Sequence, residues 1–295
     1  MGGLQSKIEF GALDTFCSVF DIICITETKS NYYDFDDTLL EEYEIIRSPH
    51  EYENESLFAA HGICILAKKE IKLNMNIVTD SQSKFVLWVK IDSAVTGFDF
   101  ILGVVYLPCE SSVHYDQEMY DDISCDISNF EYPVCLIGDF NARTSNNTDI
   151  FDSEDRIAQL YGLCDIENSS ELIKTLLESK NFQRSNMDRI INSAGYNLLD
   201  LCKINDLCIL NGRFGQDRNV GAFTCYTHNG ASCIDYVLMS SSLLNHINNF
   251  AVHDYDSLLS DTHCAISLSL TSLANVNDSH TLEKTPDPNS EHGAI

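Results

Sequence analysis

Five short segments place chemically competent side chains at the ends of apolar runs. Cys135-Leu-Ile-Gly138 leads into Asp139, with Asn141 two residues later. In an extended chain, residues two apart project to one side. This carboxylate and carboxamide could therefore orient a water beside a hard metal ion and a phosphate oxygen. The same pair could instead cap a strand-ending turn, as Asp and Asn commonly do. Glu27 follows the apolar run 20–25. A carboxylate there suits magnesium, which takes one or two carboxylates plus waters and substrate phosphate. Tyr106 closes Leu102-Gly-Val-Val and offers either a phenol to a phosphoryl oxygen or a ring to the core.

Asp235 lies inside Ser232-Cys-Ile-Asp235-Tyr-Val-Leu, where burial would be costly without a partner. His263, in Ser260-Asp261-Thr262-His263, is the candidate partner. A histidine oriented by a carboxylate gains basicity and a fixed tautomer, which suits proton transfer or the stabilisation of a pentavalent phosphoryl group. In a strand, Asp261 and His263 would share a face and could enter one site. The other eight histidines read as surface or satisfied core residues.

The elements that must carry these residues follow from periodicity. Leu4, Ile8, Ala12, Phe16 and Phe20 recur every four residues, one face of a helix, and a buried strand follows at 20–25. Residues 31–55 hold nine carboxylates against one arginine and read as an irregular surface excursion. Strand-like runs come at 62–67, 85–91, 98–106 and 133–137, with a helical pattern at Tyr115, Met119, Ile123, Ile127 and Phe130 before the last of them. That order does not repeat as βαβ units, so mixed sheets covered by helices are expected rather than a doubly wound parallel sheet. After Asn141 a polar stretch reaches about residue 168, then helices are expected near 171–179 and 187–205. Short strands follow at 207–210, 222–226, 233–239, 250–253 and 264–270. Residues 1–270 read as one domain, and the polar segment 271–295 as a disordered tail.

The 295 residues carry 45 acidic and 18 basic side chains, a formal charge of −27. Such a balance opposes any broad electrostatic footprint on nucleic acid or on an anionic membrane. The acids are clustered, however, with seven more between Glu110 and Glu131, so DNA cleavage is compatible with weak, strongly metal-dependent binding. The twelve cysteines include no C-x-x-C pair and mostly sit singly in apolar runs. They read as small hydrophobes in a reducing compartment rather than disulfides or a zinc site. No apolar run approaches the ~18 residues of a membrane helix, so a soluble intracellular protein is expected.

Seven motifs in order, T-E-T at 26–28, Y-L-P at 106–108, G-D-F-N-A-R at 138–143, N-G-R at 211–213, G-A-F-T at 221–224, S-C-I-D-Y-V-L at 232–238 and S-D-T-H at 260–263, together resemble the endonuclease/exonuclease/phosphatase (DNase I-like) superfamily. Within it, the chain is similar to the endonuclease domain of non-LTR (LINE-type) retrotransposons. The resemblance implies a four-layered α/β sandwich of two mixed β-sheets flanked by helices, cutting phosphodiesters in DNA with Mg²⁺, or Mn²⁺, in the nucleus if the substrate is chromosomal. It implies Glu27 as metal ligand, with Asp261 assisting the metal or the water, and Tyr106 and Asn141 positioning the phosphate. Asp139 would orient or deprotonate the water, and His263, paired with Asp235, would stabilise the transition state. Thr224 and Ser260 would support the site by hydrogen bonds, and Arg143 and Arg213 would contact DNA or serve the structure.

Two departures accompany the resemblance. Thr262 separates Asp261 from His263, whereas the family sets the two side by side, so one of the two is expected to be displaced unless a bulge intervenes. The family's first strand, with its asparagine, should precede the first helix, and the start at Met1-Gly-Gly-Leu4 implies its absence. The reverse transcriptase that follows in the parent elements is also expected to be missing. Two other functions stay open: a phosphatase or phosphodiesterase of the same superfamily, and an inactive interaction module.

Overall fold

The most continuous apolar run in the chain, Phe100–Tyr106, is a strand buried at all seven positions, as expected for a strand covered on both faces. The computed structural model describes residues 18–28, 42–47, 62–150 and 183–271. Its strands are β1 (Ile22–Thr26), β2 (Tyr43–Arg47), β3 (Ile63–Lys68), β4 (Met75–Ile77), β5 (Val86–Ile91), β6 (Phe100–Tyr106), β7 (Val134–Asp139), β8 (Leu207–Ile209), β9 (Cys225–Thr227), β10 (Gly230–Ser232), β11 (Asp235–Ser240), β12 (Ile247–Val252) and β13 (Ile266–Leu270). Two three-turn helices are α1 (Glu118–Asn129) and α2 (Ser193–Ile204).

Six strands form a mixed sheet in the order β4-β5-β6-β7-β11-β8, in which only β6 and β7 are parallel. One face packs on α1 and α2 through Trp88, Leu136, Leu198 and Cys202. The other packs on a second β layer through Ile65, Val104, Val237 and Phe250. That layer consists of two separate antiparallel sheets, β1-β3-β2 and β12-β13, so mixed pairing is confined, among the described residues, to the six-stranded sheet. Three of the four expected layers are therefore described. The helices expected over 4–20 and 171–179 lie, but for residues 18–20, outside the described residues.

A buried polar clamp joins helix to sheet. Asp126 of α1 is 1% exposed and accepts from the indole N–H of Trp88 at 3.0 Å and from the main-chain N–H of Gln82 and Ser83. Three donors satisfy a carboxylate that would otherwise be costly to bury.

Most strands expected from the sequence form, with ends displaced by one to three residues. β2 does not follow the expectation: Tyr43-Glu-Ile-Ile-Arg47 is a strand within the acidic stretch taken as irregular. Its Tyr43 and Ile46 are buried, and the Tyr43 hydroxyl donates to the Phe20 carbonyl at 2.6 Å. The helix expected over 187–205 begins only at Ser193, because Asn192 caps it by accepting from the Gly195 N–H at 2.8 Å. The ten described cysteines are all free thiols, as expected.

Candidate active site

Register places three of the expected residues on one row. β6 aligns Tyr106 with Asp139, and β11 aligns Asp235 with Asp139. Residues directly opposite one another share a face of the sheet, so the phenol and both carboxylates emerge together. Gly138 makes the close approach possible. Its φ is 147°, and a Cβ there would collide with the Val105 carbonyl.

Beyond β7 the chain turns at Asn141, whose φ of 48° is a left-handed conformation that Asn tolerates. Asp139 Oδ1 accepts from the Asn141 N–H at 2.8 Å. The Asn141 Nδ2 donates to Asp139 Oδ2 at 3.1 Å and to the Leu107 carbonyl at 2.8 Å. The capping reading of the motif is thus observed, and the same hydrogen bonds fix the direction of the Asp139 carboxylate. Both amide hydrogens are taken by protein acceptors, which leaves Oδ1 as the group of Asn141 available to a ligand.

Glu27 also has a positive φ, 52°, immediately after β1. The Tyr106 hydroxyl donates to its Oε1 at 2.9 Å, linking the second β layer to the row. Burial and the Glu27 charge push the Tyr106 phenol up, so it stays protonated and remains a donor.

His263 reaches the row through an isolated bridge to Cys225. Its Nδ1 lies 3.0 and 3.1 Å from the two Asp235 oxygens, and its Nε2 lies 4.0 Å from Asp139 Oδ2. Burial pulls the imidazole pKa down, but the hydrogen bond and charge of Asp235, with Asp139 and Glu27 behind it, raise it to about 9. Asp139, 3% exposed, is held well above the usual carboxylate range, chiefly by burial and then by the Asp235 charge. Burial thus raises Asp139 and lowers His263, while the neighbouring carboxylates raise both.

The remaining expected residues separate. Thr224 is fully buried and its Oγ1 accepts from the N–H of Ile234 at 3.1 Å and of Asp235 at 3.0 Å, setting where β11 begins. Ser260 Oγ accepts from the N–H of His263 at 3.0 Å. Asp261 is exposed and stands apart from the close cluster, while its carbonyl accepts from the Tyr255 hydroxyl. Bends at 261 and 262 precede β13, which starts at Ile266, and Asp261 lines the same groove as His263.

Of the two roles open to the arginines, the structural one is observed. Arg213 is 1% exposed and bonds Asp149 through two nitrogens at 2.5 and 2.6 Å. Burial shields it from any DNA contact. Arg143 grips Asp188 in the same bidentate manner at 2.6 and 2.7 Å, with its side chain 27% exposed. Asp149 and Asp188 escaped notice in the sequence because a carboxylate's distant partner leaves no local signal. Asn211 is a further supporting residue: its carboxamide bonds the Asp235 carbonyl and the Val237 N–H on either side of the site strand.

A family model described as Endonuclease/Exonuclease/phosphatase family matches residues 8–261. The chain belongs to that family. Solved structures agree on the fold. An AP endonuclease from Archaeoglobus fulgidus is 12% identical with a TM-score of 0.59, covering 91% of this chain and 96% of that one. The endonuclease domain of TRAS1, a telomere-specific non-LTR retrotransposon, is 12% identical with a TM-score of 0.55, covering 91% and 92%. A Neisseria 3' phosphatase, NExo, bound to product DNA hairpin, is 13% identical with a TM-score of 0.55, covering 91% and 96%. No curated protein sequence matches the chain significantly.

Members of the Endonuclease/Exonuclease/phosphatase family hydrolyse phosphate esters, generally with a metal, and the donor set here fits a hard cation. Asp139, Asp235 and His263 bring ligand atoms within 4.8 Å of one another. Geometry would admit the imidazole as a ligand, but electrostatics opposes it. An imidazolium has no free lone pair for a metal, and the carboxylates favour the imidazolium. The two carboxylates of this group, Asp139 and Asp235, offer the oxygen that hard cations prefer.

Proposed function

We propose that this protein is a Mg²⁺-dependent DNA-nicking endonuclease of the non-LTR retrotransposon type. The observation that carries the reading is the Asp139–Asp235 register with His263 locked on Asp235 and Glu27 joined through Tyr106. Glu27 and Asp139 would hold the metal, which when bound supplies Lewis-acid neutralisation of phosphoryl charge.

Asp139, fixed by Asn141, orients the attacking water and takes its proton. The Asn141 Oδ1 accepts a hydrogen bond from the same water. His263, held as imidazolium by Asp235, turns its Nε2–H to the phosphoryl oxygens as charge develops. The Tyr106 hydroxyl swings from Glu27 to a third oxygen. Asp261, at the rim, takes no part in this arrangement.

Supercoiled plasmid incubated with the protein and Mg²⁺ tests the proposal. Nicking should depend on the metal and disappear in Asp139→Ala and His263→Ala; nicking unchanged in both would sink it. The −27 charge and the likeness to a 3' phosphatase favour a second reading, removal of a terminal phosphate. Inorganic phosphate released from a 3'-phosphorylated oligonucleotide, without plasmid nicking, would establish that one instead.

A further inference from the structure

Three tyrosines are exposed among the described residues, Tyr196, Tyr226 and Tyr255, and the last two touch one another. Their rings stand 6.2 Å apart at 58°, and the Phe223 ring meets Tyr226 at 6.3 Å and 73°. Both tyrosines are anchored. Tyr226 lies on β9 beside the buried Cys225, so it faces outward by alternation, and its N–H donates to the Thr262 carbonyl at 2.8 Å. The Tyr255 hydroxyl donates to the Asp261 carbonyl at 2.8 Å. The lysine–ring contacts among the described residues are Lys84 on Phe85 and Lys90 on Tyr132, so no lysine or arginine of those residues stands over this corner.

The surroundings are acidic. Tyr255 follows Asp254 and precedes Asp256, its hydroxyl holds the main chain of Asp261, and all three aspartates are exposed. No lysine or arginine occurs from Asn219 to Thr271. Carboxylates and the negative faces of aromatic rings attract the same species, a cation. The same carboxylates repel phosphate, so a nucleic acid strand would stack here against the local charge. The ring angles agree, because planes at 58° and 73° form a corner rather than the platform on which successive bases stack. A guanidinium suits such a corner: it lies flat on one ring while its N–H groups reach a carboxylate.

We infer that the corner of Phe223, Tyr226 and Tyr255 binds an arginine side chain of a basic polypeptide, with Asp254, Asp256 and Asp261 at its rim. The charge of −27 attracts such a partner and repels a second copy of this chain. Cys225, next to Tyr226, bridges His263, so the partner docks beside the candidate active site rather than in it.

The probe is the blocked peptide acetyl-GRGRGRG-amide, with its citrulline counterpart as neutral control, titrated into the protein in metal-free buffer while tyrosine ring resonances are followed by NMR. The Tyr226 and Tyr255 rings should shift, and the ring of Tyr196, at least as exposed, should not. The citrulline peptide should move none of them. The double variant Tyr226→Leu, Tyr255→Leu should bind the arginine peptide at least about fivefold more weakly. Tyr226→Phe should bind it as the native chain does, since a ring face needs no hydroxyl. Equal shifts at Tyr196, or unchanged affinity in the double-leucine variant, would mean diffuse attraction to an acidic surface and overturns the inference. So does a single-stranded thymidine oligonucleotide that shifts these rings where the peptide does not, which would make the corner a base-stacking site. Ring shifts need neither metal nor catalysis, so the inference stands or falls separately from the nuclease reading.

Discussion

The His263 Nδ1 stands 3.0 Å from Asp235 Oδ1, and this contact leaves Nε2 as the only ring nitrogen free to meet a phosphate. The pairing holds the imidazole protonated against its burial, which alone would deprotonate it. Asp235 therefore sets the ring's direction and supplies the largest part of the charge that keeps it protonated.

In metal-free protein, His263 should titrate near pH 9 by NMR. Asp235→Asn should lower that value by at least about one pH unit, since burial would then act with less opposition. The sign for stability follows: the folded state binds this proton more tightly than the unfolded state. The contribution is full below about pH 6.5 and is lost as pH rises to about 9. Urea midpoints compared with those of His263→Gln across that window check it.

Mg²⁺ should compete with the protons that the site retains. The metal is expected to raise the thermal midpoint clearly at pH 8 and little at pH 5, because Asp139 must be ionised to bind it. Equal stabilisation of Asp139→Ala at pH 8 would place the metal elsewhere. Scanning calorimetry reads both.

Thr224→Val should remove the acceptor of two buried N–H groups at nearly constant shape. The expected loss is about 2–6 kcal/mol, from ~1–3 kcal/mol for each unpaired donor. Nicking should fall as Asp235 shifts, and Thr224→Ser should restore both properties. Denaturant unfolding and plasmid assays on the three proteins give the comparison.

Arg213→Met should cost about 3–5 kcal/mol by stranding Asp149, and the double change with Asp149→Leu should recover most of it. The salt dependence of DNA binding should not change in the double variant, because Arg213 meets no solvent. A shallower salt slope would instead assign it a phosphate contact.

Much of the site was legible in the chain because its acids and histidine interrupt apolar runs. Asp139 after Cys135-Leu-Ile-Gly138 and Asp235 inside an apolar run stand out, since polar groups in such places need a reason. β6 and β7 were legible for the same cause. β2 was not, because five residues of strand are outvoted by the acidic residues around them. Arg213 looked like a DNA contact for want of a visible partner, and Asp149, 64 residues away, is a partner only in three dimensions.

Sequence alone singled out the candidate site residues and most of the runs that become strands, since both depend on side-chain type and spacing within a few positions. The tertiary structure decided how they meet. Strand register puts Asp139 beside Asp235 and Tyr106, and His263 comes from a distant segment to pair with Asp235. Each of these rests on pairing between distant segments, where hydrogen bonds and burial act across space and leave no trace in local spacing.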